Sequence, residues 1–210
     1  MGFKQTTMVL YSDPDSINGH RVRIALAEKG MSVNVDYIRH GSPLPSVITS
    51  AVDEAELPVL VDRDLVLYDT GIIAEYLDER FPHPPLLPVN PIQRARYRLM
   101  MREIDQQWLR LADKILHDSD ELARENARKE LAVSLTSGAN IFGQNRYFIG
   151  DEFSLVDCCL LPMLWRLNIL GVELPAASTK PLRNYMDRMF DRKAFRESLS
   201  EEERDFEIRV

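Results

Sequence analysis

The side chains best suited to covalent, redox or metal chemistry are few in this chain, and their spacing limits them. The two cysteines, Cys158 and Cys159, are adjacent. Neighbouring cysteines cannot staple distant segments, so the pair points to a reducing cytosol and to two small buried hydrophobes in a helix. The four histidines, His20, His40, His83 and His117, are scattered, and no Cys/His cluster has metal-ligand spacing. One of them has an unusual setting: His83 lies in the run Phe81-Pro82-His83-Pro84-Pro85-Leu86-Leu87-Pro88. Each proline lacks an N–H and restricts the residue before it, so no helix passes through. The run reads as a stiff, extended, exposed joint carrying one imidazole, and such a segment loses little entropy when a partner docks. An exposed imidazole can gain a proton near neutrality, which is compatible with a pH-linked contact. A second cluster is Arg94, Arg98 and Arg102, at i, i+4 and i+8 of one helix face, with Arg96 nearby. It can meet an acidic partner or a phosphate-bearing nucleotide, but a solvated or intersubunit face is favoured because surface charges contribute little.

The elements that must position these groups differ on the two sides of the proline run. Before it, Thr7–Tyr11 reads as a buried strand, Ser12–Ser16 as a loop, His20–Lys29 as a helix with Gly30 at C′, and Val33–Ile38 as a second strand. Residues 41–56 carry only a weak helical signal. Pro58–Asp62 and Leu65–Tyr68 form a hairpin about Arg63-Asp64, and Asp69 or Thr70 caps a helix from Gly71 to Arg80. After the run, Tyr97, Met101, Ile104, Trp108, Leu111 and Ile115 mark one face of a long helix. A second helix spans Glu121–Phe142, with Leu122, Leu131 and Leu135 among its apolar positions. Ser154 and Asp157 have capping-box spacing before a helix to about Leu170 with Trp165 in the core. Another helix starts at Pro181, and Ser200–Val210 reads as a loosely held charged tail. The chain thus divides into an α/β domain over residues 1–81, a Pro-rich linker over 82–91 and an all-α domain over 92–210.

Composition narrows the class. A chain of 210 residues with 45% apolar content can bury a real core in one or two domains. No apolar run is long enough to span a bilayer, and the first residues lack a signal-peptide h-region, so a cytoplasmic protein is expected. Met1-Gly2 with Thr6 matches a crude myristoylation pattern, which six residues do not make informative. The net charge of −7 falls mainly on residues 1–89, with 7 basic against 13 acidic side chains. That argues against autonomous binding to DNA phosphates, though not against binding a basic protein.

The order β-α-β-(α)-β-β-α, with a proline opening the third strand, resembles the thioredoxin-like domain of the glutathione transferase family. The later helices resemble that family's C-terminal domain, including its Ser-x-x-Asp cap. The resemblance implies a cis peptide at Leu57-Pro58 that leaves the Leu57 backbone open to a peptide such as glutathione. It also implies that the helix start at Asp69-Thr70, where the family has an acidic–hydroxyl pair, binds the γ-glutamyl carboxylate. The family's thiol-activating residue lies just after the first strand. No cysteine stands there, which excludes the thiol-transferase subclass and leaves Tyr11 and Ser16, with Ser12 also in the loop. Structural roles are favoured for both, a core-edge aromatic for Tyr11 and a cap for Ser16. Asp13 and Asp15 place negative charge where a thiolate would form, which counts against detoxification chemistry.

Three runs narrow the resemblance further. His20–Gly30, Tyr76–Leu86 and Asp151–Cys158 closely resemble the stringent starvation protein A family of bacteria. That resemblance implies a regulator that binds RNA polymerase holoenzyme, sigma factor and core, and alters promoter use under starvation and acid stress without transferase chemistry. It implies a contact surface at Pro82, His83, Pro84 and Pro85 and a vestigial glutathione-type pocket at Ser16, Leu57, Pro58, Asp69 and Thr70. It further implies a homodimer through the long helix and the 71–80 helix. No cofactor is expected, although glutathione, or guanosine tetraphosphate as in assemblies of some relatives, is compatible with it. The alternative is a glutathione-dependent transferase or peroxidase using Ser16 or Tyr11.

Overall fold

Alternation along short strands builds the first half of the protein, which a computed structural model describes over residues 8–206. In β1 (Met8–Ser12) the side chains of Met8, Leu10 and Ser12 are buried and those of Val9 and Tyr11 half-buried. β1 pairs in parallel with β2 (Asn34–Tyr37) and antiparallel with β3 (Val59–Asp62), which pairs antiparallel with β4 (Leu65–Leu67). The sheet order is β2-β1-β3-β4. Because strand side chains alternate between faces, each face acquires its own core. Met8, Leu10 and Leu60 pack with Val22 and Leu26 of α1 (Ile17–Glu28) and with Ile73 and Leu77 of α3 (Thr70–Arg80). Val59 and Val61 pack on the opposite face with Ile48 of the short α2 (Ser46–Thr49). The thioredoxin-like arrangement is thus present strand for strand. The myristoylation pattern lies outside the described residues.

α1 begins three residues before the expected His20 because the Ser16 hydroxyl accepts the Gly19 N–H at 3.2 Å and caps the helix. The helix also crosses the end of β1 closely: a Cβ on Gly19 would lie 2.2 Å from Ser12 Oγ. At the other end Gly30 takes φ 63° and turns the chain out of the helix, as its position in the sequence predicts.

The largest departure concerns the end of the chain. Ser200–Val210 is expected to be loose, yet within its described residues a short helix, α10 (Glu201–Arg204), belongs with the preceding α9 (Lys193–Ser198) to the same compact unit as the sheet, while residues 207–210 lie outside the described residues. That unit runs to Pro85 and takes in Lys193–Asp205; the second comprises Leu86–Arg192 and Phe206. Over the described residues 92–206 the regular secondary structure is helical, and thirteen of those residues, Lys193–Asp205, belong to the first unit. Ser200 accepts the Glu203 N–H, Glu203 accepts the Ser200 N–H, and the Ser200 hydroxyl donates to the Pro14 carbonyl at 2.6 Å. The fully buried Glu203 carboxylate meets Arg23 Nη2 at 2.6 Å. Arg23 also donates through Nε to the Ser198 carbonyl and through Nη1 to Ser12 Oγ. His20, equally buried, lies with Nε2 3.0 Å from the Ser198 hydroxyl and Nδ1 3.6 Å from Glu203. Since that hydroxyl donates to the Phe195 carbonyl, it accepts from His20 Nε2.

In the second unit, Asn90 caps α4 (Pro91–Ile104), and one π-helical turn (Asp105–Leu109) joins it to α5 (Arg110–His117). Ile104, Trp108, Leu111 and Ile115 of the predicted stripe are buried, with Tyr97 and Met101 half-buried. After it comes α6 (Glu121–Gly138), then a 3-10 turn at Ala139–Gly143. Leu131 and Leu135 of α6 are buried as expected, but Leu122 is 67% exposed. It sits in the first turn, where its N–H goes to the Asp120 cap and its side chain precedes the packed part of the helix.

α7 (Leu155–Trp165) is apolar apart from Asp157 and buried except at Trp165, including the thiols of Cys158 and Cys159. It stops short of Leu170 because bonds from Arg166 to Met163 and Leu167 to Leu164 tighten the chain into turns. Trp165 is half-buried and meets Phe190 of α8 (Lys180–Phe190) edge-on. The capping box is formed as the spacing predicts, and Asp157 does more than cap. Its carboxylate accepts from Ser154 N–H and hydroxyl, from Phe148 N–H at 3.0 Å and from Tyr185 O–H at 2.8 Å. Burial raises this carboxyl against the pull of those donors.

Candidate interaction surface and glutathione-type pocket

Helix α3 places the two predicted sites at its two ends. Its eleven residues rise roughly 16 Å, so the sites are separated by about that distance along it. At the C-terminal end, Phe81 caps the helix through its N–H to Leu77 O and packs on the first core cluster. The chain then leaves the helix, and Pro82, His83, Pro84 and Pro85 are all exposed, with a cis peptide between His83 and Pro84.

Beneath this run lies a group the sequence does not announce. Lys29 ends α1 with its side chain fully buried, and its ammonium lies 2.5 Å from Asp78 Oδ1 and 2.5 Å from the Pro84 carbonyl oxygen. Asp78, in α3, is itself 4% exposed. A lysine beside a C′ glycine fits the helix dipole, but its pairing with a residue 49 positions on leaves no local signal.

At the N-terminal end of α3 the glutathione-type residues share one edge of the sheet. β1 and β3 run antiparallel with Tyr11 opposite Val59, so Leu57-Pro58 lies beside the loop after β1; Leu60 opposite Leu67 brings the chain toward Asp69 at the same edge. Leu57-Pro58 is cis, with Pro58 buried and Leu57 half-buried. Asp69 Oδ1 accepts the Ile72 N–H at 2.9 Å, making Asp69 the cap and Thr70 the first helical residue.

The hydroxyls nearby have structural duties. Ser12 is buried, accepts from Arg23 at 2.7 Å and donates to the Asp13 carbonyl. Ser16 caps α1, and half-buried Tyr11 packs against the Val59 cluster. Partial burial and then the neighbouring Asp15 raise the Asp13 carboxyl, the sign of a crowded acidic corner. Among the described residues no group of three or more His, Cys, Asp or Glu is placed to hold a metal, and no helix is long and apolar enough to cross a membrane. On α4, Arg96, Arg98 and Arg102 are exposed, whereas half-buried Arg94 donates to the Pro88 carbonyl.

Comparison with known proteins agrees with this geometry. The family described as Glutathione S-transferase, N-terminal domain matches residues 10–85, and Glutathione S-transferase, C-terminal domain matches residues 92–193. A rice glutathione S-transferase solved with glutathione superposes with a TM-score of 0.81 at 21% identity, covering 98% of this chain and 96% of its own, a likeness of fold. The maleylacetoacetate isomerase of Anaeromyxobacter dehalogenans superposes at 0.73 with 26% identity, covering 94% and 92%. The chain belongs to the glutathione S-transferase family. Within it, a stringent starvation protein A homolog of Coxiella burnetii is 44% identical over 200 residues, 95% of each chain. The homolog of Haemophilus influenzae is 43% identical, covering 94% of this chain and 92% of its own. Its group is therefore that of the stringent starvation protein A homologues.

Proposed function

We propose that this protein is a non-catalytic binding module on a glutathione transferase fold, one that associates with RNA polymerase holoenzyme and redirects transcription under starvation and stress. The observation that carries the reading is the exposure of four consecutive residues, Pro82, His83, Pro84 and Pro85. Three rings without N–H groups and one imidazole offer an apolar, conformationally restricted contact. The naming of its relatives as stringent starvation protein A homologs supports the same role. The acidic balance of the first half suits a basic protein surface better than nucleic acid. We further propose a homodimer, which would present the surface twice; Tyr68 and Ile72 in the first unit, and Ile92 and Leu99 in the second, are large apolar side chains left exposed.

Co-sedimentation with RNA polymerase holoenzyme at moderate salt tests the reading. Comigration is expected for the unaltered protein. The triple variant P82A/H83A/P84A should bind at least about tenfold more weakly while keeping its circular dichroism and melting curve. Equal binding of the triple variant would remove this surface from the mechanism.

The enzyme reading retains one favourable observation: the strand registers bring the loop after β1, which leads to Ser16, the Leu57-Pro58 peptide before β3 and the Asp69-Thr70 start of α3 to the same end of the sheet. Against it stand two aspartates, Asp13 and Asp15, in the loop after β1 and a Ser12 hydroxyl held between Arg23 and the Asp13 carbonyl. Titration with millimolar glutathione in a calorimeter is expected to give no heat. Binding accompanied by turnover would overturn the non-catalytic assignment, with Ser16 and Tyr11 the first residues to replace.

A further inference from the structure

The backbone of the Pro82–Pro85 run cannot order itself by its own hydrogen bonds. Prolines at 82, 84 and 85 leave His83 with the only N–H of the four residues. The proline rings restrict the run's torsions, and a donor that grips its carbonyls can fix how it sits on the protein; one such group is in place, the Lys29 ammonium, 2.5 Å from the Pro84 carbonyl oxygen. A charged donor makes a shorter and stronger hydrogen bond than a neutral one, and burial strengthens it further. The ammonium is itself held by Asp78 at 2.5 Å, so its position is set by α1 on one side and α3 on the other. Taking a lysine fully out of water carries a large desolvation cost unless it is paired. Here the pair lies where the end of α1 reaches both α3 and the Pro84 carbonyl of the exposed run.

We infer that Lys29, fixed by Asp78, is a positioning residue for the docking surface: it holds the Pro84 carbonyl and so sets the geometry that His83 and its flanking prolines present. This rests on the reading of Pro82–Pro85 as the polymerase contact. The surface is then pre-formed, and the ordering cost of binding is met when the protein folds.

The test uses the full-length variant K29M/D78A, which removes both charges of the pair together. Two readouts are taken beside the melting curve: affinity for RNA polymerase holoenzyme and the NMR resonances of the His83 imidazole. The variant is expected to bind about tenfold more weakly or worse and to show shifted or broadened His83 signals, although no residue of the exposed run is altered. Unaltered protein supplies a second measurement that needs no variant to fold. Its Lys29 ammonium protons should exchange slowly with water and show a nuclear Overhauser effect to the Pro84 ring. A rapidly exchanging ammonium without that effect overturns the inference. So does wild-type affinity of folded K29M/D78A, with or without a change at His83. If P82A/H83A/P84A loses affinity while K29M/D78A keeps it, Lys29 is excluded and the surface stands. If the triple variant binds normally, the surface falls and the role of Lys29 with it.

Discussion

Replacing Glu203 by alanine is expected to destabilise the protein by roughly 3–5 kcal/mol. Glu203 and Arg23 are both buried, with 2.6 Å between carboxylate and guanidinium. A buried pair of this kind adds little over an apolar substitute, but removing one partner strands the other charge without water. Arg23 cannot leave easily, because it also holds the Ser198 carbonyl and Ser12 Oγ. The neighbouring residue supplies the control. Glu202 pairs with Arg39 at 2.7 Å, but the two side chains are 37% and 73% exposed. Solvent screens that pair, so E202A should change stability by no more than about 0.5 kcal/mol. Urea unfolding of the two single variants measures the contrast. Equal midpoints would mean that the end of the chain is not docked on α1 in solution.

Replacing Asp157 by alanine should cost a similar amount, roughly 3–5 kcal/mol, through unpaired buried groups rather than a stranded charge. The N–H groups of Phe148 and Ser154 and the Tyr185 hydroxyl would all lose their acceptor inside the second unit's core. Y185F removes one donor and should cost about 1–2 kcal/mol. It also carries a pH signature. Burial first, and then the Asp157 charge, push the Tyr185 phenol well above its ordinary value of 10.0. The folded protein keeps that proton where the unfolded chain releases it, so this contribution is complete below pH 10.0 and is lost as pH rises above it. Unfolding midpoints between about pH 9 and 11 should therefore fall more steeply for the unaltered protein than for Y185F. Parallel curves would show that Tyr185 titrates normally.

The two large effects differ in how visible they are beforehand. Ser154 and Asp157 stand three apart before an apolar helix, and the capping box is legible at once. Ser200 and Glu203 have the same spacing, but the acidic residues around them conceal it among charges that read as a solvated tail. Their partners Pro14, His20 and Arg23 lie some 180 positions away, and nothing local selects them.

By itself the sequence determines the features that neighbours a few residues apart can impose on one another. Strand alternation separates Met8 and Leu10 from Val9 and Tyr11, Gly30 ends α1, a cap at Asp69 or Thr70 starts α3, and the prolines at 82, 84 and 85 forbid a helix. Each rests on dihedral limits, missing donors or helical and strand periods, which act along the chain. Tertiary structure alone decides the rest. It buries Lys29 against Asp78 and the Pro84 carbonyl, exposes Leu122 on a helix whose later leucines are core, and returns Lys193–Asp205 to the first domain. A charged side chain is stable in the interior only when a distant partner arrives at hydrogen-bonding distance, and that coincidence belongs to the packed chain rather than to any segment of it.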